Sequence, residues 1–168
     1  MTTINSWINK SPLSLRSKKV LKSAFVSANK PIDCTTATLA ANAELHANRT
    51  VILNRAAGIA ITLPAATGSG DKYRFVVGTT FTGNCTIDAA SSSDKFTGHA
   101  ILAQDSADTV VHFGTAAGTD KLTMYTASSN TTGGIKGAVA EFQDIATNLW
   151  TVFFVSEAGG TEATPFDS

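Results

Sequence analysis

Short apolar runs separated by small polar residues fill the chain from residue 51 onward. In residues 59–63, isoleucine and leucine alternate with alanine and threonine, which is the period of two expected of a half-buried β-strand. Residues 73–77 alternate in the same way, and Gly78 ends that run. Further runs predict strands at 51–53, 85–89, 109–113, 122–125, 138–142 and 149–155.

The spacing of these runs predicts the fold class. They recur roughly every ten residues and are divided by glycine, serine, asparagine and aspartate, which favours an all-β body, an antiparallel sandwich or barrel. Helices alternating with parallel strands are not expected. In residues 149–155 apolar side chains fall on both faces, so we expect a central strand with both faces covered.

A short pattern recurs where some of these strands begin. An Asp-Lys pair precedes a large apolar residue three times, at Asp71-Lys72, Asp94-Lys95 and Asp120-Lys121. Aspartate accepts hydrogen bonds from turn amides, and lysine just inside a strand keeps an exposed edge soluble. The pattern therefore predicts a recurring start of a β-hairpin, and both duplication and shared turn chemistry account for it.

The residue types of the body indicate how it packs. Threonine, alanine and serine dominate, whereas leucine, glutamate and lysine are scarce. Small residues that suit β-strands favour flat, closely packed sheets over a thick aliphatic core. Oligomerisation that pairs or covers the sheet edges would supply the missing burial, so we expect a homo-oligomer.

The charges divide the chain into two parts. The six ionised residues among the first 31 are all basic, namely Lys10, Arg16, Lys18, Lys19, Lys22 and Lys30. The chain has 13 basic and 13 acidic residues, so the other seven bases share the rest of the chain with all 13 acids. A basic arm, residues 1–31, is thus joined to an acidic body, residues 32–168, and the segregation indicates that the two meet different surfaces.

The sequence of the arm allows two structures. Ser11 and Pro12 match the start of a helix, an apolar stripe follows, and Pro31 ends it, which predicts a basic amphipathic helix. The serines within the segment and the marginal stability of an isolated helix favour instead an extended arm that becomes ordered on a partner.

The arm also carries the predicted docking residues. Its six cations would steer it to a partner, because exposed ion pairs contribute only about 0.2 to 1 kcal/mol each. Burial of apolar side chains at about 25 cal/mol per Å² would hold it there. The predicted docking residues are therefore the six cations together with Trp7, Ile8, Phe25 and Val26.

Motifs for catalysis or cofactor binding are not recognisable in the sequence. The segment Gly68-Ser69-Gly70 leads from one predicted strand into another, not into a helix, so we expect turn glycines and not a phosphate loop. We therefore expect a protein that is not an enzyme and that holds no cofactor.

A metal site is not expected either. His99 and His112 with Asp105 and Asp108 do not match a recognised ligand spacing. His112 is instead predicted to point to the face of its strand opposite its apolar neighbours.

Cysteine usage and hydropathy indicate a cytoplasmic site of synthesis. Cys34 and Cys85 have no redox or metal-ligand spacing and are predicted to be buried free thiols, in preference to a disulfide. The first ten residues lack the features of a secretion signal, and no run approaches the roughly 18 consecutive apolar residues of a membrane span. We expect neither export nor membrane insertion.

Three stretches resemble small virion proteins of tailed bacteriophages, most clearly head decoration or cement proteins. They are residues 61–80, ITLPAATGSGDKYRFVVGTT; residues 131–155, TTGGIKGAVAEFQDIATNLWTVFFV; and residues 160–166, GTEATPF. The resemblance implies an antiparallel β body, with a trimer favoured, on the outside of an icosahedral head, where it bridges subunits of the major capsid protein. It implies no catalytic residues, and the arm has no counterpart in it.

Three functions are therefore considered. The first is capsid decoration on the outer surface of the virion, with the arm lying along acidic grooves of the shell. The second is a head or tail fibre module that recognises host glycans. The third is nucleic-acid binding through the arm, which the acidic body opposes because it repels phosphates.

Overall fold

The computed structural model describes residues 14–19, 30–104, 109–125 and 129–167. The chain divides into two compact units, Met1–Pro31 and Ile32–Ser168. The described part of the first unit contains one helical turn, α1, at residues 15–19, and Ser14 Oγ accepts a hydrogen bond from Ser17 N at its start. The rest of the predicted arm lies outside the described residues. No helix in the described ranges is long and apolar enough to cross a membrane.

The described part of the second unit is β-rich, with twelve strands and the short helix α2 (Ala43–His46). The strands are β1 (Ile32–Cys34), β2 (Thr38–Ala40), β3 (Arg49–Leu53), β4 (Ala60–Thr62), β5 (Lys72–Val77), β6 (Cys85–Asp88), β7 (Lys95–Gln104), β8 (Val110–Gly114), β9 (Lys121–Met124), β10 (Val139–Ala146), β11 (Leu149–Ala158) and β12 (Phe166–Asp167). They form two sheets. Sheet A has the order β1-β3-β5-β10-β11-β7-β8, and sheet B has the order β12-β9-β6-β4-β2.

The first six strands alternate between the two sheets. β1, β3 and β5 lie parallel to one another in sheet A, and β2, β4 and β6 do the same in sheet B. Residues 32–88 therefore make three successive windings, in which Leu39, Ile61 and Ile87 lie side by side on neighbouring strands. The remaining strands pair antiparallel, except that β11 runs parallel to β7.

The expectation of antiparallel sheets is thus wrong, and both sheets are mixed. Five of the ten strand pairings are parallel. Parallel neighbours need a crossover connection, which is usually a helix. In the three windings the chain passes through a strand of the other sheet between two parallel neighbours, and this strand serves as the crossover. Parallel pairing was therefore possible although the sequence shows no helical patterns between these strands.

All eight predicted strands are confirmed, with ends that differ by a few residues. The short strands β1, β2 and β12 were not predicted, and neither was β7, one of the two longest. In β7 the inward positions include Gly98 and Ala100 between Phe96 and Leu102, so small residues interrupt the apolar alternation.

One cluster of buried side chains contains members of both sheets. Its largest fully buried members are aromatic: Trp150, Tyr73, Phe75, Phe81, Phe142 and Phe154. The rings of Tyr73 and Trp150 meet edge to face with centroids 5.5 Å apart. The core is therefore richer in large side chains than the small-residue composition of the body suggests.

The three Asp-Lys pairs do mark the starts of strands. Lys72, Lys95 and Lys121 are the first residues of β5, β7 and β9. All three strands are interior to their sheets, so the proposed protection of an edge is wrong. The hairpin interpretation is also wrong for β5 and β9, because neither pairs with the strand that follows it in the chain.

Candidate interaction surface

The outer face of sheet A is the face that points away from the buried cluster. The prediction that β11 is a central strand is confirmed, because it lies between β10 and β7. Its inward residues, Trp150, Val152 and Phe154, are buried, but Phe153 and Val155 on the outer face remain 42% and 39% exposed. The expectation that both faces of this strand are covered is therefore wrong for the single chain.

An aliphatic row crosses this outer face. Strand register aligns one β-branched residue from each of five neighbouring strands, in the order Ile52, Val76, Val139, Val155 and Ile101. Asp33 of β1 continues the row at one end and His112 of β8 at the other. Val155 is exposed, and the other four members of the row are partly exposed. A sheet face that meets only water usually carries polar residues, so this row is a candidate surface for a partner.

A second row, displaced by two residues along each strand, is mostly polar. It consists of Thr50, Arg74, Glu141, Phe153 and His99. Arg74 Nε donates to Glu141 Oε1 over 2.8 Å. Because both side chains are about half exposed, this ion pair contributes at most about 1 kcal/mol to the stability of the fold. Either side chain can therefore leave the other and bind a charged or polar group of a ligand.

A groove of about 610 Å³ lies along the polar row. A third row of side chains, from Lys72 through Gln143 and Thr151 to Thr97, also lines it. The groove therefore offers hydroxyl, amide and charged groups next to the exposed ring of Phe153. Such a lining can bind a polar ligand by hydrogen bonds and ring contacts.

The two histidines discussed in the sequence come together on this face. The rings of His99 and His112 lie with centroids 5.3 Å apart, and His112 is exposed on the face opposite Val111 and Phe113, as predicted. Within the described ranges no group of three or more histidine, cysteine or acidic side chains is arranged to hold a metal. Asp105 and Asp108 lie outside those ranges.

The Gly-Ser-Gly segment is a turn, as predicted, with positive φ angles of 81° at Gly68 and 80° at Gly70. Its backbone amides nevertheless bind an anion, which is the carboxylate of Asp144 on β10. Both oxygens of Asp144 accept from backbone amides of this loop. Burial by itself raises the pKa of Asp144, but hydrogen bonds from Thr67, Ser69 and Gly68 outweigh it and hold the pKa at about 2. The chain thus fills this anion site with its own side chain.

The prediction of buried free thiols is confirmed for Cys34 and Cys85. Burial raises the pKa of the Cys85 thiol to about 12, so it stays protonated near neutral pH. Cys85 is therefore not a candidate nucleophile.

The predicted docking residues of the arm are only partly described. Arg16, Lys18 and Lys19 lie in α1, and Lys30 is exposed just before the body. The others, Trp7, Ile8, Lys10, Lys22, Phe25 and Val26, lie outside the described residues. Sequence reasoning missed the aliphatic row, although its signal was present as β-branched residues at the outward positions of four predicted strands.

Comparisons with protein-family models, with curated proteins and with solved structures found no match.

Proposed function

We propose that this chain is a viral structural protein that decorates the outside of a bacteriophage head and cements neighbouring subunits of the major capsid protein. The observation that carries the proposal is the aliphatic row on the outer face of sheet A. In this proposal the body is a two-sheet sandwich that attaches through this face. Residues 1–31 form a basic arm, extended or partly helical, that docks in acidic grooves of the shell.

The size of the row fits attachment to a large assembly. The row crosses five strands that are spaced about 4.8 Å apart, so it is about 19 Å long. Val155 in the row and Phe153 beside it are still exposed in the single chain. Covering about 200 Å² of apolar surface here would contribute about 5 kcal/mol before the costs of association.

The charge of the chain fits the same role. The arm carries six bases and no acid, so it would be attracted to acidic grooves of the shell. Attraction between exposed charges steers the encounter, whereas apolar burial holds the complex. We therefore expect added salt to slow docking more than it speeds release.

Binding to capsids that lack the protein tests the proposal. Residues 1–30 would be deleted in one variant, and Val155→Lys would place a charge in the aliphatic row of another. We expect both to remain folded and to lose co-sedimentation with capsids. Thr62→Lys is the matched control, because Thr62 is an exposed residue of sheet B. Wild-type binding by either test variant would contradict the proposal.

A second function, recognition of host glycans by a fibre module, is favoured by the groove beside Phe153. The groove has the hydroxyl, amide and charged groups that bind sugars, next to an exposed ring. Against it, Trp150 and Tyr73 are buried in the core and cannot stack on a sugar. Glycan-array binding by the full chain that is lost in Arg74→Ala would support this function. An array without specific binding would remove it.

A further inference from the structure

The edges of the two sheets are protected very unequally. Three of the four edge strands in the described body are only two or three residues long, namely β1, β2 and β12. The fourth, β8, is five residues long, and its sequence VVHFG contains no Lys, Arg, Asp, Glu or Pro. Proteins usually protect a free edge by keeping it short or by placing charges or proline on it. β8 has neither protection.

The backbone of β8 has hydrogen-bonding groups that point away from its sheet. Two backbone hydrogen bonds flank the pairing of β7 with β8. Gln104 N donates to Thr109 O at one end, and Thr115 N donates to Gly98 O at the other. Because hydrogen-bonded positions alternate along an antiparallel strand, the odd-numbered residues from 109 to 115 face β7. The amide and carbonyl groups of Val110, His112 and Gly114 therefore point outward, and they amount to three donors and three acceptors.

The same three positions lie on the outer face of sheet A. Val110 is 67% exposed, the most exposed large apolar side chain of the described body. His112 pairs with Ile101 at the end of the aliphatic row, so the edge continues the apolar surface already described. At Gly114 an added Cβ would have no heavy atom within 4 Å, which leaves open space beside the strand.

We propose that two copies of this chain join through β8, paired antiparallel about a two-fold axis at His112. In this register His112 lies opposite His112 of the partner subunit, and Val110 lies opposite Gly114 of the partner subunit. All three outward-facing residues then occupy hydrogen-bonded positions, which gives six backbone hydrogen bonds. The two sheets become one sheet of fourteen strands, and the two aliphatic rows meet at the axis.

A second copy fits this edge because the strand is complementary to itself. The bulky exposed residue, Val110, meets the position without a side chain, Gly114, and the two-fold axis makes this fit occur twice. The contact closes with two copies, in contrast to the trimer that the sequence resemblance implies. It does not depend on the proposed attachment to capsids.

The mass of the full chain in solution tests the contact. Sedimentation equilibrium should give twice the 17.4 kDa of one chain. Val110→Lys places a charge on the pairing edge, and Gly114→Val fills the space that receives Val110 of the partner subunit. We expect both variants to sediment at half the wild-type mass with an unchanged circular dichroism spectrum, because both positions are exposed.

Leu45→Lys is the matched control, since Leu45 is also an exposed apolar residue, 54% exposed, but lies in α2. This variant should remain a dimer. Hydrogen exchange adds a residue-specific reading: the amides of Val110, His112 and Gly114 should exchange slowly in the wild type and rapidly in Val110→Lys. A wild-type monomer, a trimer, or a dimer whose mass and exchange survive Val110→Lys would overturn the proposal.

Discussion

The backbone nitrogen of Gly68 lies 2.6 Å from Oδ1 of Asp144, although 76 positions separate the two residues in the chain. Thr67 and Ser69 on either side of the glycine donate to the same carboxylate through both their amides and their hydroxyls. Asp144 is buried, so this carboxylate fastens the loop before β5 to strand β10 by charge-assisted hydrogen bonds.

Replacing Asp144 with asparagine should therefore destabilise the body. The asparagine side chain would lack the negative charge, and its NH₂ group would face amide donors, which leaves buried donors unsatisfied. We expect Asp144→Asn to lower the free energy of unfolding by about 2 kcal/mol or more, measured by urea denaturation. Glu141→Gln on the same strand is the control and should cost less than about 1 kcal/mol, since Glu141 is half exposed.

The carboxylate of Asp144 should also make the free energy of unfolding depend on pH in the acid range. Its pKa is about 2 in the folded chain against an ordinary value of 3.8, so the unfolded chain binds the proton more tightly. The stabilisation is complete above pH 3.8 and is lost as the pH falls toward 2, which amounts to about 2 kcal/mol. Unfolding free energies of wild type and Asp144→Asn should converge over this range. A constant difference between them would contradict the assignment.

Gly98 should be intolerant of a side chain. Its φ is 148°, and a Cβ there would collide with the carbonyl oxygen of Val152 on the neighbouring strand β11. We expect Gly98→Ala to lower the free energy of unfolding by about 3 kcal/mol or more, because backbone must move or strain must be stored. Thr97→Ala, at the exposed neighbouring position, should cost no more than about 1 kcal/mol in the same urea titration.

His46 should add a second pH dependence, nearer neutrality. It is buried, and its Nδ1 accepts a hydrogen bond from Asn42 N over 3.1 Å. Burial lowers the pKa of His46 below its ordinary value of 6.5, and the charge of Arg49 lowers it further. The unfolded chain therefore binds a proton at His46 more tightly than the folded chain does. The folded state keeps its full stability above pH 6.5 and loses stability as the pH falls below that value. Thermal unfolding between about pH 8 and 5 should show this loss in the wild type and a smaller one in His46→Gln.

The strands could be predicted because their inward positions carry large apolar residues at a period of two. Tyr73, Phe75 and Val77 show this pattern, and all three are buried. β7 could not be recognised in this way. At Gly98 the backbone of β11 approaches so closely that only glycine fits, and the resulting gap in the apolar pattern hides the strand.

The sheet order could not be predicted, because periodicity fixes the face of a side chain and not the neighbour of a strand. The aliphatic row shows the consequence. Val76 and Val155 are each visible in the sequence as outward residues, but only the pairing of β5 and β11 with β10 brings them into one row. The arm residues predicted to dock are not tested by the described structure, and their role stays a prediction.

The first of the three windings is the part of the body that should yield first when the chain is pulled from its N-terminal side. Among the described strands, β1 pairs with β3 alone and β2 with β4 alone, through three residue pairs each, whereas β5 forms five residue pairs with β3 and five with β10. A pulling force applied ahead of Ile32 would therefore peel the first winding away before it reached the strands that carry the aliphatic row. Tension on the arm would be absorbed as added chain length, and the sheet face would keep its shape.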